Sequence, residues 1–168
     1  MQDITHLIVL GICLGAVLQD LISRKVANQS ILLGGGLVVL SLMFIQGWAG
    51  LSAGLLSALA VFSVGFLLWR FGVLGAGDVK LMSVAALVLP WQRGLEFVFH
   101  SFVWGAVLGA LALLLDKNLL REAKILKFHP IMTIRSLRVR NHKVPFTVAI
   151  LLGLIATWLL DSKGVHFL

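Results

Sequence analysis

The sequence has 168 residues, of which 60% are hydrophobic and 12% are charged, well below the ~25% charged residues of soluble domains. This composition excludes an ordinary water-soluble domain and favours an integral membrane protein with one compact domain. The net charge is +7, but no nucleic-acid-binding motif accompanies it, and the single cysteine, Cys13, excludes an intrachain disulfide framework.

Six apolar stretches predict transmembrane helices, each of which needs about 20 mainly apolar residues. They lie at 4–22, 30–46, 50–69, 79–92, 95–115 and 144–160. The fourth is short, and gains length if it begins inside the preceding glycine-containing segment. The first apolar stretch lacks the basic N-terminal region and the small-residue cleavage site of a signal peptide, so we expect this helix to be retained. The predicted fold is an all-α integral membrane protein, a six-transmembrane-helix bundle that forms a single domain over 1–168.

The basic residues predict the orientation of this bundle, because lysine and arginine concentrate in cytoplasmic loops. Twelve of the fourteen follow the first, third and fifth predicted helices, and eight of these lie in one basic loop, 117–143. Arg93 and Lys163 fall on the opposite side. Both termini are therefore predicted on the outer, periplasmic side. We interpret the basic loop as an ordinary positive-inside anchor, with binding to anionic lipid as the alternative.

Two of the seven acidic residues are predicted at the cytoplasmic boundary of the membrane. Asp20 lies in the last turn of the first helix, and Asp78 lies at the start of the fourth. Two carboxyl groups held close together share a proton. The ionised one can then take a proton from an attacking water while the neutral one donates a proton to the substrate. The helix dipole favours the charged form of Asp78, so we expect Asp78 to be the base.

Each of these residues also has a purely structural interpretation. Asp78 could cap a helix, and Asp20 could be an interfacial charge. Gly75 and Gly77 could adopt backbone angles closed to other residues, so that an extended substrate passes close by, or could form a tight turn between helices.

The histidines and the cysteine do not indicate a metal site, and no cofactor is expected. His100 is predicted toward the outer face, far from both aspartates. A serine–histidine protease that paired Ser83 with His100 is disfavoured because the two residues would lie at different depths. His6 and His166 are terminal and are expected to be solvated.

Three segments resemble the type IV prepilin peptidases, a family of GxGD-type intramembrane aspartic peptidases that is related to archaeal preflagellin peptidases. "GAGDVKLM" (75–82) is similar to the family's Gly-x-Gly-Asp motif. "DLISRKVAN" (20–28) resembles its first-aspartate segment, Asp-x-x-x-Arg-x-Ile-Pro-Asn. "KVPFTVAILLG" (143–153) resembles its final-helix segment, Lys-x-Pro-Tyr/Phe-Gly-x-Ala-x-x-x-Gly. The segments occur in the family's order and, with the six predicted helices, extend the resemblance over nearly the whole chain.

The resemblance implies roles for individual positions. Asp20 and Asp78 match the two catalytic aspartates. Further positions match the surrounding motifs and are expected to bind substrate or shape the site: Gly75, Gly77, Lys80, Arg24, Asn28 and Pro145. Ala27 stands where the family motif has proline and Thr147 where it has glycine, which bears on substrate fit more than on the chemistry.

The resemblance also implies the activity and the partners. Members of the family cut the short basic leader from type IV pilin-like precursors at the cytoplasmic face of the bacterial inner membrane. The chain lacks the cysteine-containing insertion of long members, so it resembles the short form of tight-adherence and related pilus systems, without methyl transfer. Membrane lipid and other pilus or secretion components are further expected partners, and nucleic acid is not. The alternatives are a small ion- or proton-coupled transporter and a non-catalytic assembly factor.

Overall fold

The computed structural model describes residues 2–23, 28–115 and 146–162, and every regular element within them is an α-helix. The basic loop 117–143, Arg24 and Pro145 lie outside the described residues. The helices are α1 (Gln2–Ser23), α2 (Asn28–Arg70), α3 (Ala76–Ala86), α4 (Trp91–Leu115) and α5 (Phe146–Ser162).

The 43-residue helix α2 is a hairpin of two helical segments, 28–46 and 48–70, that meet at Gly47. Gly47 has φ 69° and ψ −163°, a conformation that is essentially confined to glycine. A Cβ atom on Gly54 would lie 3.2 Å from Cδ1 of Leu42. A continuous helix would separate these positions by about 18 Å, so the chain turns back on itself at Gly47. The two segments correspond to the predicted helices 30–46 and 50–69.

Three described helices are long and apolar enough to cross a membrane, over Ile4–Ile22, Asn28–Arg70 and Trp91–Ala112, and Phe146–Leu160 is a shorter apolar helix. Their outward surfaces carry large hydrophobic side chains, of which Ile22 and Phe44 are both 85% exposed. A lipid bilayer solvates such a surface, whereas water does not. The all-α membrane class predicted from the sequence is thus observed.

Helix α3 is shorter than predicted and lies at the centre of the packing. The predicted helix was 79–92, but α3 ends at Ala86 and α4 begins at Trp91. Pro90 explains the break, because proline lacks an N–H and disfavours helical angles in the residue before it. At 11 residues, α3 is about 16 Å long, roughly half the thickness of a bilayer core. It contacts all four other helices, and Leu81 and Ala85 are fully buried.

Helices α1 and α5 run antiparallel, and their contacts define two ends of the bundle. Near one end, Oγ1 of Thr147 lies 2.9 Å from Oδ2 of Asp20. Near the other, the rings of His6 and Trp158 lie 4.4 Å apart. We call these the aspartate end and the Gly47 end. A cavity of about 280 Å³ at the Gly47 end is lined by residues of α1, α2, α4 and α5 together with the α3–α4 connection.

Arg93 and His6 both lie at the Gly47 end, where they line the cavity. Arg93, predicted on the side opposite most of the basic residues, lies in the first turn of α4, 5% exposed, with Nη1 2.8 Å from Oε2 of Glu96. His6 was predicted to be solvated, but it is half-buried against Trp158. The ion pair with Glu96 compensates the cost of burying the Arg93 charge.

The buried ion pair predicts a strong asymmetry between single and double substitutions. Arg93→Met leaves the Glu96 carboxylate buried without its partner, so we expect the free energy of unfolding to fall by about 3–5 kcal/mol. The double variant Arg93→Met/Glu96→Leu should recover most of that loss. Denaturant unfolding in detergent micelles measures both, and equal destabilisation of the two variants would contradict the assignment.

Close packing at Gly54 predicts a cost for adding one methyl group. A Cβ atom at Gly54 would collide with the backbone oxygen of Leu87, whereas one at Gly36 would meet nothing within 4 Å. We expect Gly54→Ala to lower the free energy of unfolding by about 1–3 kcal/mol. Gly36→Ala, on the same helix, is the matched control and should be neutral or slightly stabilising. Thermal unfolding in detergent compares them, and equal effects would contradict this packing.

Candidate functional site

Asp20 is half-buried near the end of α1, one turn before Ser23. Its Oδ2 accepts a hydrogen bond from the hydroxyl of Thr147, at 2.9 Å. Thr147 lies in the first turn of α5 and is 1% exposed. The contact joins positions 127 residues apart and fixes the aspartate against a second helix.

Asp78 is half-buried in the first turn of α3, where it caps the helix. Gly75 is the N-cap residue, and its backbone N–H donates to Oδ2 of Asp78 at 3.3 Å. The interpretation of Asp78 as a helix cap is therefore confirmed in part. Asp78 is not the N-cap residue itself, because its carboxylate reaches back from the third helical position. A carboxylate has about four acceptor positions, so the capping bond is compatible with a chemical role.

The two motif glycines do not adopt the unusual backbone angles that one of their two interpretations allowed. Gly75 is extended, with φ −79° and ψ 147°, and Gly77 lies inside α3. The glycines with positive φ among the described residues are Gly47 and Gly72, and Gly72 forms the turn before the motif. What Gly75 provides is space, since a Cβ atom there would lie 2.7 Å from Oδ2 of Asp78.

Lys80 and Asn28 connect the two motif segments directly. Nζ of Lys80 donates to Oδ1 of Asn28 at 2.9 Å, across 52 residues of sequence. Asn28 begins α2, five residues after α1 ends at Ser23. The bond therefore ties the start of α3, which carries Asp78, to the chain that follows Asp20. Both partners are exposed to solvent.

These contacts bring both aspartates to the aspartate end of the bundle. Asp20 lies near the end of α1, Asp78 at the start of α3, and the three helices α1, α3 and α5 contact one another. The arrangement has two half-buried carboxyl groups beside solvent, and such groups can act as general acid and general base. Within the described residues, no group of three or more His, Cys, Asp or Glu side chains is placed to hold a metal ion.

His100 belongs to the other end of the bundle. Its Nδ1 lies 3.0 Å from Oγ1 of Thr157, a residue that lines the cavity at the Gly47 end. Ser83, the possible serine partner, donates instead to the backbone oxygen of Val79 at 2.8 Å. The described contacts thus give no support to a serine–histidine pair.

Two polar contacts were not found by reasoning from the sequence. Thr147 stood out as a departure from a glycine position, but nothing in the sequence indicated that its hydroxyl reaches Asp20. The Arg93–Glu96 pair did carry a local signal, because opposite charges three residues apart lie on the same face of a helix.

Comparison with known proteins adds a family match to this geometry. The sequence profile of the type IV leader peptidase family matches residues 7–110, which is more than half of the chain. The matched region contains Asp20, Asp78 and both motif glycines, and ends before α5. No match to a curated protein or to a solved structure was found.

The space at Gly75 predicts different effects for two similar substitutions. Gly75→Ala should displace the Asp78 carboxylate and break the cap of α3, lowering the free energy of unfolding by about 0.5–2 kcal/mol. Gly77→Ala is the matched control, because a Cβ atom there meets nothing within 4 Å, and it should not destabilise the protein. Denaturant unfolding of both variants tests this, and a larger loss at Gly77 would contradict it.

Proposed function

Because the chain belongs to the type IV leader peptidase family, we propose that it is a membrane-embedded aspartic endopeptidase that removes the leader of pilin-like precursors. The observation that carries the proposal is the location of Asp20 and Asp78 at one end of the bundle, inside the family-matched region. The family match supports the peptidase activity and the pilin-like substrate, and the helix contacts support the pairing of the two aspartates.

The proposed reaction uses the two carboxyl groups in complementary protonation states. Asp78, at the positive end of the α3 dipole, is the ionised group and takes a proton from a water molecule. The oxygen of that water attacks the scissile carbonyl carbon. Asp20 begins neutral and gives its proton to the developing oxyanion or to the leaving amine. The peptide C–N bond then breaks, and proton exchange with solvent restores the starting states of the dyad.

We further propose that the aspartate end faces the cytoplasm of a bacterial inner membrane. Arg70 and Lys80 lie at this end. The basic residues of the first and fifth connections, including the basic loop 117–143, lie in sequence between helix ends that are found here. Lysine and arginine favour the cytoplasmic side. With segments 28–46 and 48–70 counted separately, the chain makes six passes, the fourth being α3 with residues 87–90. Both termini then lie on the periplasmic side.

The same orientation fits a substrate that is itself a membrane helix preceded by a leader. The precursor's apolar helix would pack on the exposed apolar surface of the bundle, which is rich in leucine and phenylalanine side chains. Its leader would lie at the cytoplasmic rim, beside Gly75, where water is available for hydrolysis. A transporter would instead place its acids near the bilayer midplane. Asp20 and Asp78 lie near helix ends, so this alternative is less well supported.

The aspartate pair predicts loss of cleavage when either carboxyl group becomes an amide. Co-expression with a tagged pilin-like precursor, followed by gel shift and N-terminal sequencing of the product, measures leader removal. Asp20→Asn and Asp78→Asn should each slow cleavage by at least about 100-fold, because the amide can neither take up nor donate the required proton. Asp3→Asn is the matched acid-to-amide control and should cleave at the wild-type rate.

Two outcomes would contradict the proposal. Cleavage that survives both substitutions would exclude the aspartate mechanism while leaving a peptidase. Failure of the wild-type chain to process any pilin-like precursor, when purified and folded, would instead favour the non-catalytic assembly factor. Thermal unfolding of each variant in detergent shows whether a loss of cleavage reflects a loss of fold.

A further inference from the structure

We propose that Thr147 is a positioning residue that holds Asp20 in its working orientation, an inference that rests on the proposed function. The Thr147 hydroxyl donates to Oδ2 of Asp20 at 2.9 Å. Thr147 is 1% exposed, so substrate cannot reach it, and it acts through the aspartate. The motif that this segment resembles has glycine at this position. Glycine carries no hydroxyl, so the hydrogen bond from position 147 to Asp20 is a property of this chain.

The backbone that carries Thr147 is held firmly by α4. A Cβ atom at Gly105 of α4 would lie 2.7 Å from Cε2 of Phe146, so this glycine makes room for the phenylalanine ring. The Phe146 ring also packs against Phe102, with centroids 5.6 Å apart. One turn further, Ala149 and Ile150 are fully buried. The first turn of α5 is thus anchored on both sides of Thr147, and the branched threonine side chain has restricted freedom of its own.

The hydroxyl distinguishes the two oxygens of the Asp20 carboxyl group. An ionised carboxylate only accepts hydrogen bonds, so Thr147 must be the donor in that state. With the same direction of donation to neutral Asp20, Oδ2 is the accepting carbonyl oxygen and the proton lies on Oδ1. Without the hydroxyl, the terminal torsion of aspartate is broad and roughly two-fold, and the proton would be distributed over both oxygens in several orientations. Thr147 therefore favours the one orientation from which Asp20 can donate.

This role predicts a specific kinetic pattern. A buried group that does not touch substrate should affect the chemical step and leave substrate binding intact. For Thr147→Val, which keeps the volume and removes the hydroxyl, we expect kcat to fall by about tenfold or more, because Asp20 gains charge as it gives up its proton and the variant loses the hydrogen bond that stabilises this charge. KM should stay within about a factor of two. Thr147→Ser retains the donor and should keep most of the wild-type kcat.

The experiment uses the purified full chain in detergent and a pilin-like precursor that the wild-type chain cleaves. Thr157→Val is the matched control, because it removes another buried hydroxyl of α5, at the Gly47 end. It should leave kcat unchanged. Thermal unfolding of each variant is measured in parallel. If Thr147→Val does not fold, Thr147→Ala and Thr147→Ser form a second pair that differs by the hydroxyl alone.

The outcomes separate this inference from the proposed function. If Asp20→Asn abolishes cleavage but Thr147→Val retains wild-type kcat, the positioning role is overturned and the aspartate mechanism stands. If Thr147→Ser loses as much kcat as Thr147→Val or Thr147→Ala, the hydroxyl is not responsible and the role is likewise overturned. If the wild-type chain and all its variants cleave no precursor, the proposed function fails first, and the positioning role fails with it.

Discussion

The structure depends on one constraint: within an apolar bundle, burying a charged or polar side chain costs free energy unless that side chain is hydrogen-bonded or ion-paired. The described contacts of the charged and histidine side chains accordingly lie toward the two ends. Asp20, Asp78 and Lys80 are each bonded at the aspartate end, whereas Arg93 and His100 find their partners toward the Gly47 end. Between them lies a core of valine, leucine, methionine and alanine. This separation leaves reactive groups where water can reach them and keeps the lipid-facing length of the helices apolar.

The short central helix α3 determines where one of the two aspartates lies. Because it contacts the other four helices, its position is determined from all sides, and its first turn cannot shift without disturbing the core. Asp78 lies in that first turn and caps it, so one carboxylate contributes both to the stability of the helix and to the proposed chemistry. The Lys80–Asn28 hydrogen bond fixes the position of α3 relative to the start of α2, which follows Asp20 in the chain. The site is therefore supported by the most buried element of the fold.

The sequence predicted features that depend on local composition and missed those that depend on distant contacts. Apolar length identified α1 and the two segments of α2 within a few residues, and the scarcity of acids drew attention to Asp20 and Asp78. The end of α3 was misplaced although Pro90 marked it, because the apolar run continues through the break. The contact of Thr147 with Asp20 joins positions 127 residues apart, and no periodicity or spacing encodes such a contact. The roles assigned to the site residues remain predictions.

The turn at Gly47 has a consequence for how the protein enters the bilayer. From Asn28 to Trp69 the chain contains no Asp, Glu, Lys or Arg, and its two helical segments are joined through a single non-helical residue. The pair can therefore insert as one unit, without dragging a charged group or a hydrated loop through hydrocarbon. Because the turn is a single residue long, it presents little irregular backbone at the Gly47 end that a protease could cleave or an antibody could bind.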